Sequence, residues 1–165
     1  MLSEFTWPEA SDDSDRKLLS DIKQYGWNVV QIEEDNDGPA FSFSVGLFHS
    51  FGSSEILVMG LKRDVAHRII NNAALHISRG KNFKEFERTG ELAEGYDCTF
   101  VPIAIENYEE YLGYAIWFYR SLKQPFPALQ LIWPDKQGRF PWDSGYDKRF
   151  LSLQHVLSDE VPPSS

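Results

Sequence analysis

The spacing of apolar residues changes several times along the chain, and each change marks an element. In "SDRKLLSDIKQYGW", Leu18, Leu19, Ile22 and Tyr25 fall on one helical face. Ser14 or Asp15 stands where an N-cap belongs, and Gly26 supplies a stop. The period then shortens to two: Trp27 and Val29, then Ile32 after Val30, predict a strand. After the turn cluster Asp35–Pro39, Phe41, Phe43 and Val45 point one way while Ser42, Ser44 and Gly46 point the other, which completes a β-hairpin. "HSFGSS" reads as a loop, and "EILVMGL", Glu55–Leu61, as a short buried strand.

Helical spacing returns in "KRDVAHRIINNAALHISRG", where Val65, Ile69, Ala73 and Ile77 recur every four residues and Gly80 ends the run. "KNFKEFERTGELAEG" is a charged connection that reads as a short helix or a hairpin. Tyr96–Ile105 reads as a strand, with Pro102 favouring an edge or a bulge. Asn107, with Glu110 three residues on, resembles a capping box, and Tyr108, Leu112, Ala115, Tyr119 and Leu122 line the helix behind it. "PFPALQLIWP" gives a last strand. Together these predict an α+β fold: a single domain over residues 14–157, with a mostly antiparallel sheet and two or three helices packed on one face. Residues 1–13 read as a flexible acidic arm and residues 158–165 as a disordered tail.

The order and wording of four stretches resemble one family. They are "YGWNVV" at Tyr25–Val30, "FSFSVGL" at Phe41–Leu47, "SSEILVMGL" at Ser53–Leu61 and "LQLIWPDKQGRFPW" at Leu129–Trp142, with Gln154 completing the set. Over residues 20–157 the chain is similar to the bacterial "domain of unknown function 4262" family. The resemblance implies a shared fold and a common site, but no reaction. It also implies a proline where this chain has Ser54, which leaves the loop before Glu55 less rigid.

Composition narrows the function. The chain has 165 residues, with 25 acids against 16 bases and a net charge of −9, so phosphate backbones are repelled and nucleic-acid binding is not expected. Complementary charge suits a basic protein partner, such as a nuclease or another cationic toxin. A single cysteine, Cys98, has no internal partner and fits a reducing cytoplasm. No stretch reads as a leader or as a membrane span, so neither a membrane nor export is expected.

Two stretches carry the candidate chemistry. Between Leu129 and Tyr146, Trp133, Phe140 and Trp142 are placed to shut the end of the sheet, and Asp135 to bond backbone N–H groups in a turn opened by Gly138. The alternative is a ligand ledge of Trp142 and Tyr146 with Asp135 and Asp143 as polar anchors. In "GLFHSFGSSEI", His49 lies just past a strand end beside Ser50, Ser53, Ser54 and Glu55, but no G-x-S-x-G elbow accompanies them. His49, His67, His76 and His155 are scattered, and no zinc, EF-hand, dinucleotide or Walker spacing occurs, so no metal and no cofactor is expected. The acids at Glu33–Gly38 lack the rest of a calcium loop and read as a solvated hairpin tip. Two readings follow. One is a non-catalytic acidic cytoplasmic binding protein, in its most concrete form an immunity or antitoxin-type inhibitor of a basic toxin, meeting its partner through Glu33, Glu34, Asp35 and Asp37 or through the Asp135–Tyr146 loop. The other is an enzyme or small-ligand binder with a pocket where His49, Glu55 and Asp135 converge under Trp133 and Trp142.

Overall fold

The computed structural model describes residues 4–163. Helix α1 (Asp13–Tyr25) opens the domain, followed by strands β1 (Asn28–Ile32) and β2 (Phe41–Val45) and the short helix α2 (Leu47–Phe51). Strand β3 (Glu55–Met59) and the long helix α3 (Arg63–Ser78) come next, then strands β4 (Arg88–Thr89) and β5 (Cys98–Pro102). Helices α4 (Tyr108–Tyr111) and α5 (Gly113–Phe118) precede strand β6 (Ala128–Ile132). The six strands form one sheet in the order β1-β2-β3-β6-β5-β4. Every neighbouring pair is antiparallel except β3 and β6, which run parallel with Glu55 opposite Ala128.

The α+β reading holds, with more helices than expected, and these cover both faces of the sheet rather than one. The cause lies in the central strands, β3 and β6, which are buried along their whole length and so need cover on both sides. On one face Leu18, Leu19 and Ile22 of α1 and Leu112, Ala115 and Phe118 near α5 pack over Phe43, Val45, Leu57 and Met59. On the other, Ala66, Ile69, Ile70 and Ala73 of α3 pack over Ile56, Val58, Leu129 and Leu131. Cys98 belongs to this second face; burial, then the charge of Asp97, pushes its thiol up to about 12, so it stays protonated.

Several helix ends differ from expectation. Asp12, not Ser14 or Asp15, caps α1 by accepting the Asp15 N–H at 2.8 Å. Asp15 is instead buried, accepting from Ser11 and from the Tyr114 hydroxyl at 2.6 Å. Tyr25, expected on the packed face, is 59% exposed. Part of "HSFGSS" is helical, as the end of α2. Asn107 makes no cap; its amide donates to the Leu157 carbonyl at 3.0 Å. Of the expected arm and tail, residues 1–3 and 164–165 lie outside the described residues. Phe5 and Trp7 are not loose: they pack on Phe118, with centroids 4.9 and 5.4 Å away, because large rings gain more from burial than a short chain loses by being ordered.

The C-terminal segment is fastened across β6 by two fully buried glutamines. Gln154 accepts from the Trp133 N–H at 3.0 Å and donates to the Trp133 carbonyl at 2.9 Å. Gln130 donates to the His155 carbonyl at 2.7 Å and accepts from the Leu157 N–H at 2.8 Å. A primary amide is a peptide group on a side chain, so each glutamine satisfies a donor and an acceptor that would otherwise be buried unpaired. Replacing Gln154 by alanine orphans both Trp133 groups. The expected cost is about 2–4 kcal/mol, read as a lower urea midpoint with an unchanged slope; a loss under about 0.5 kcal/mol would contradict this role.

Candidate functional site

Glu55 opens β3, its own N–H bonded to the Pro127 carbonyl at 3.0 Å. Its side chain has no exposure to solvent. Around it the chain folds back twice. Gly46, at φ +116°, turns the end of β2 into α2; a Cβ there would stand 2.7 Å from the Gly26 carbonyl, so only glycine fits. That turn aims three successive N–H groups at the carboxylate: Gly46 at 3.1 Å, Leu47 at 3.2 Å and Phe48 at 3.2 Å. The Ser44 hydroxyl adds a fourth donor at 2.7 Å, and the Tyr119 hydroxyl, at the end of α5, a fifth.

The proton positions follow from the partners. Ser44 Oγ accepts the Ile56 N–H at 2.9 Å, and Tyr119 Oη accepts the His49 N–H at 3.1 Å, so both hydroxyls spend their own proton on Glu55. Burial pushes the Glu55 carboxyl up from its ordinary value, opposed by Tyr119, Ser44 and the backbone donors. Burial, then the facing charge of Glu55, raises the Tyr119 phenol, which stays protonated.

His49 reaches this knot through its backbone alone. Its ring packs in a cluster with Phe5 and Trp7, with centroids 4.5 and 5.0 Å away, and Nδ1 is buried without a partner among the described residues. Burial lowers the His49 pKa, so the ring is neutral at pH 7.

Asp135 stands elsewhere. Glu55 lies opposite Ala128 at the start of β6, whereas Asp135 lies beyond its far end at Ile132, so the expected convergence of His49, Glu55 and Asp135 does not occur. Sequence spacing gave no register, and the parallel pairing of β3 with β6 is what separates them. Asp135 accepts from the N–H groups of Gln137, Arg139 and Asp147, each at 2.9 Å. Burial raises its pKa, but the donors of Arg139, Asp147 and Gln137 reverse this, and the net shift is downward.

The remaining sequence candidates gather around Asp135. Trp133 is buried and donates from Nε1 to the Met59 carbonyl at 2.7 Å. Phe140 is buried, Trp142 stacks on it at 5.6 Å, and Asp143 accepts the Phe140 N–H at 2.9 Å. Tyr146 is buried over the same turn. The Leu129–Tyr146 stretch is therefore a clasp on the sheet end, and Trp142 is the half-buried ring at its rim. Sequence reasoning missed Tyr119 and Ser44 as partners of Glu55. Ser44 sits in one of the quoted motifs, but Tyr119, 64 residues from Glu55, looked only like a core position. Among the described residues no three His, Cys, Asp or Glu side chains are grouped to hold a metal ion.

Two outcomes test these assignments. Glu55→Gln turns an NH2 toward donors and should cost about 2–4 kcal/mol, and Tyr119→Phe about 1–3 kcal/mol, in urea unfolding; changes near zero in both would refute the knot. For Asp135 the folded pKa lies below the unfolded one, about 3.9. Its contribution is thus present above that value and lost as pH falls through the folded pKa. Unfolding midpoints measured from neutral to acid pH should show a flatter acid limb for Asp135→Asn; an identical limb would contradict the assignment.

A family model described as "Domain of unknown function (DUF4262)" matches residues 21–147. No curated protein and no solved structure matches the chain.

Proposed function

The chain belongs to the DUF4262 family, and since that description carries no reaction, we propose from its surface that it is a non-catalytic protein that binds a basic protein partner. The observation that carries this reading is the β1–β2 hairpin tip, where Glu33, Glu34, Asp35 and Asp37 are all exposed. The tip is stiff as well as acidic: Asp35 accepts the N–H groups of Asp37 and Gly38 at 2.8 and 3.1 Å and exchanges backbone bonds with Gly38. A preordered acidic surface binds a cation-rich partner with less ordering cost than a mobile one. The two acids best placed for chemistry by sequence, Glu55 and Asp135, already spend their oxygens on internal donors. In its most concrete form the partner is a cationic toxin or nuclease and this chain its inhibitor. The buried, protonated Cys98 thiol suits action in a reducing cytoplasm.

The test is capture from extract with the full chain immobilised, followed by mass spectrometry. A basic protein should be retained at low salt, released at high salt, and lost to a Glu33→Lys, Glu34→Lys, Asp37→Lys triple variant that unfolds at the wild-type urea midpoint. Retention of the same protein by that variant, or capture of no basic protein, would contradict the reading.

A further inference from the structure

The sheet is asymmetric at its two edges. On the β4 side only Arg88 and Thr89 pair, and the guanidinium of Arg88 lies over the Phe140 ring at 4.9 Å. On the other side β1 is a full five-residue strand, paired on one side only, to β2. Edge strands are ordinarily protected by proline, by charges within the strand, by a bulge or by a covering loop. "NVVQI" has no proline and no charge, and its register with β2 runs unbroken from Asn28–Val45 to Ile32–Phe41.

Nothing in the described chain closes that edge. The polar side chains of β1 are tied back to the fold: Asn28 donates to Asp21 at 2.8 Å and Gln31 to the Arg63 carbonyl at 2.7 Å. Val29 packs toward α3 and Val30 toward α1, each only half-buried. A groove of about 680 Å³ follows the strand, walled by Asp21 and Tyr25 of α1 and by His67 and Leu75 of α3. The outward backbone groups of a strand in such a groove are the donors and acceptors that an added strand needs.

Charge selects the occupant. Asp13 and Asp21 lie on α1 beside β1, and Glu33, Glu34, Asp35 and Asp37 follow its end. Ion pairs offset part of this charge, Arg16 with Asp13, Lys17 with Asp21 at 2.8 Å and Arg63 with Glu33 at 3.6 Å, and the acidic excess is carried by Glu34, Asp35 and Asp37 at the end of β1. A second copy of this chain, at a net charge of −9, brings no surplus of bases to that edge. We propose that β1 accepts an extended strand of a basic protein by strand addition, the strand carrying alternate small apolar residues flanked by lysine or arginine. This rests on the basic-partner reading above and names the surface that reading uses.

The test titrates the nitrogen-15-labelled full chain with a synthetic probe of roughly nine residues, alternating valine and threonine with lysines at both ends, long enough to span the strand. Amide signals of residues 28–32 should shift and exchange more slowly. Binding should weaken by about tenfold or more when two adjacent central residues of the probe are proline, which removes a donor on each of its edges. It should weaken similarly with glutamate in place of lysine, and with added salt. Shifts confined to residues 33–38 with no penalty from proline, absence of binding at low salt, or a concentration-dependent dimer that protects residues 28–32 would each overturn strand addition. The two proposals fail separately. A captured basic protein that excess probe does not displace refutes the β1 site and leaves the partner reading; probe binding at β1 with no basic protein captured refutes the reading and leaves the site.

Discussion

A carboxylate with no exposure to water is tolerable only when its oxygens are fully bonded, and this requirement organises one end of the molecule. Glu55 meets it with the hydroxyls of Ser44 and Tyr119 and three successive N–H groups from Gly46 to Phe48. These donors come from β2, from the turn into α2 and from the end of α5, so one side chain ties three separate segments to the start of the central strand. The same need explains Gly46, whose left-handed backbone presents the three amides together, and Tyr119, whose hydroxyl also takes the His49 N–H. The interaction is structural in consequence: it fixes how β2 hands over to α2 and where α5 ends.

The opposite end of the sheet solves its polar problem with neutral groups and one buried acid. Gln130 and Gln154 act as detached peptide units that hold the C-terminal segment across β6, and Asp135 gathers the N–H groups of the turn that follows. With these in place, Trp133 and Phe140 shut the hydrophobic core. Gly60 belongs to the same design: a Cβ there would stand 2.2 Å from the Leu153 carbonyl, so the C-terminal segment can lie this close only over glycine. Both ends are thus built from side chains that satisfy backbone, which leaves the free charge of the molecule at its surface.

Much of this was legible in the sequence. Period-two spacing located the hairpin, period-four spacing α3, and the apolar stretch before Pro134 the last strand, and the cluster Trp133-Pro134-Asp135 with Gly138 already described a clasp whose acid bonds backbone N–H groups. What failed to show was whatever depends on long-range register. His49, Glu55 and Asp135 looked equally able to converge, and only the parallel pairing of β3 with β6 parts them. Tyr119 read as one more apolar face position because a buried tyrosine and a hydrogen-bonding tyrosine have the same spacing. The apolar residues behind Glu55 were read as a buried strand while the helices were expected on one face, but a strand buried along its whole length needs cover on both.

The proposal that this chain binds a partner draws on an acidic hairpin tip, an edge strand beside it that pairs on one side only, and interior acids bonded within the fold. The framework that holds β1 and β2 in position is itself anchored at Glu55. Native-state hydrogen exchange measures that anchor most directly, at the amides of Gly46, Leu47 and Phe48. The first amides of a short helix have no intrahelical acceptor and ordinarily exchange by small local openings. If Glu55 holds them, they exchange only as the whole domain unfolds, with the same free energy as the core amides of β3. Exchange at the rate of an exposed helix end, with β3 still protected, would contradict the account.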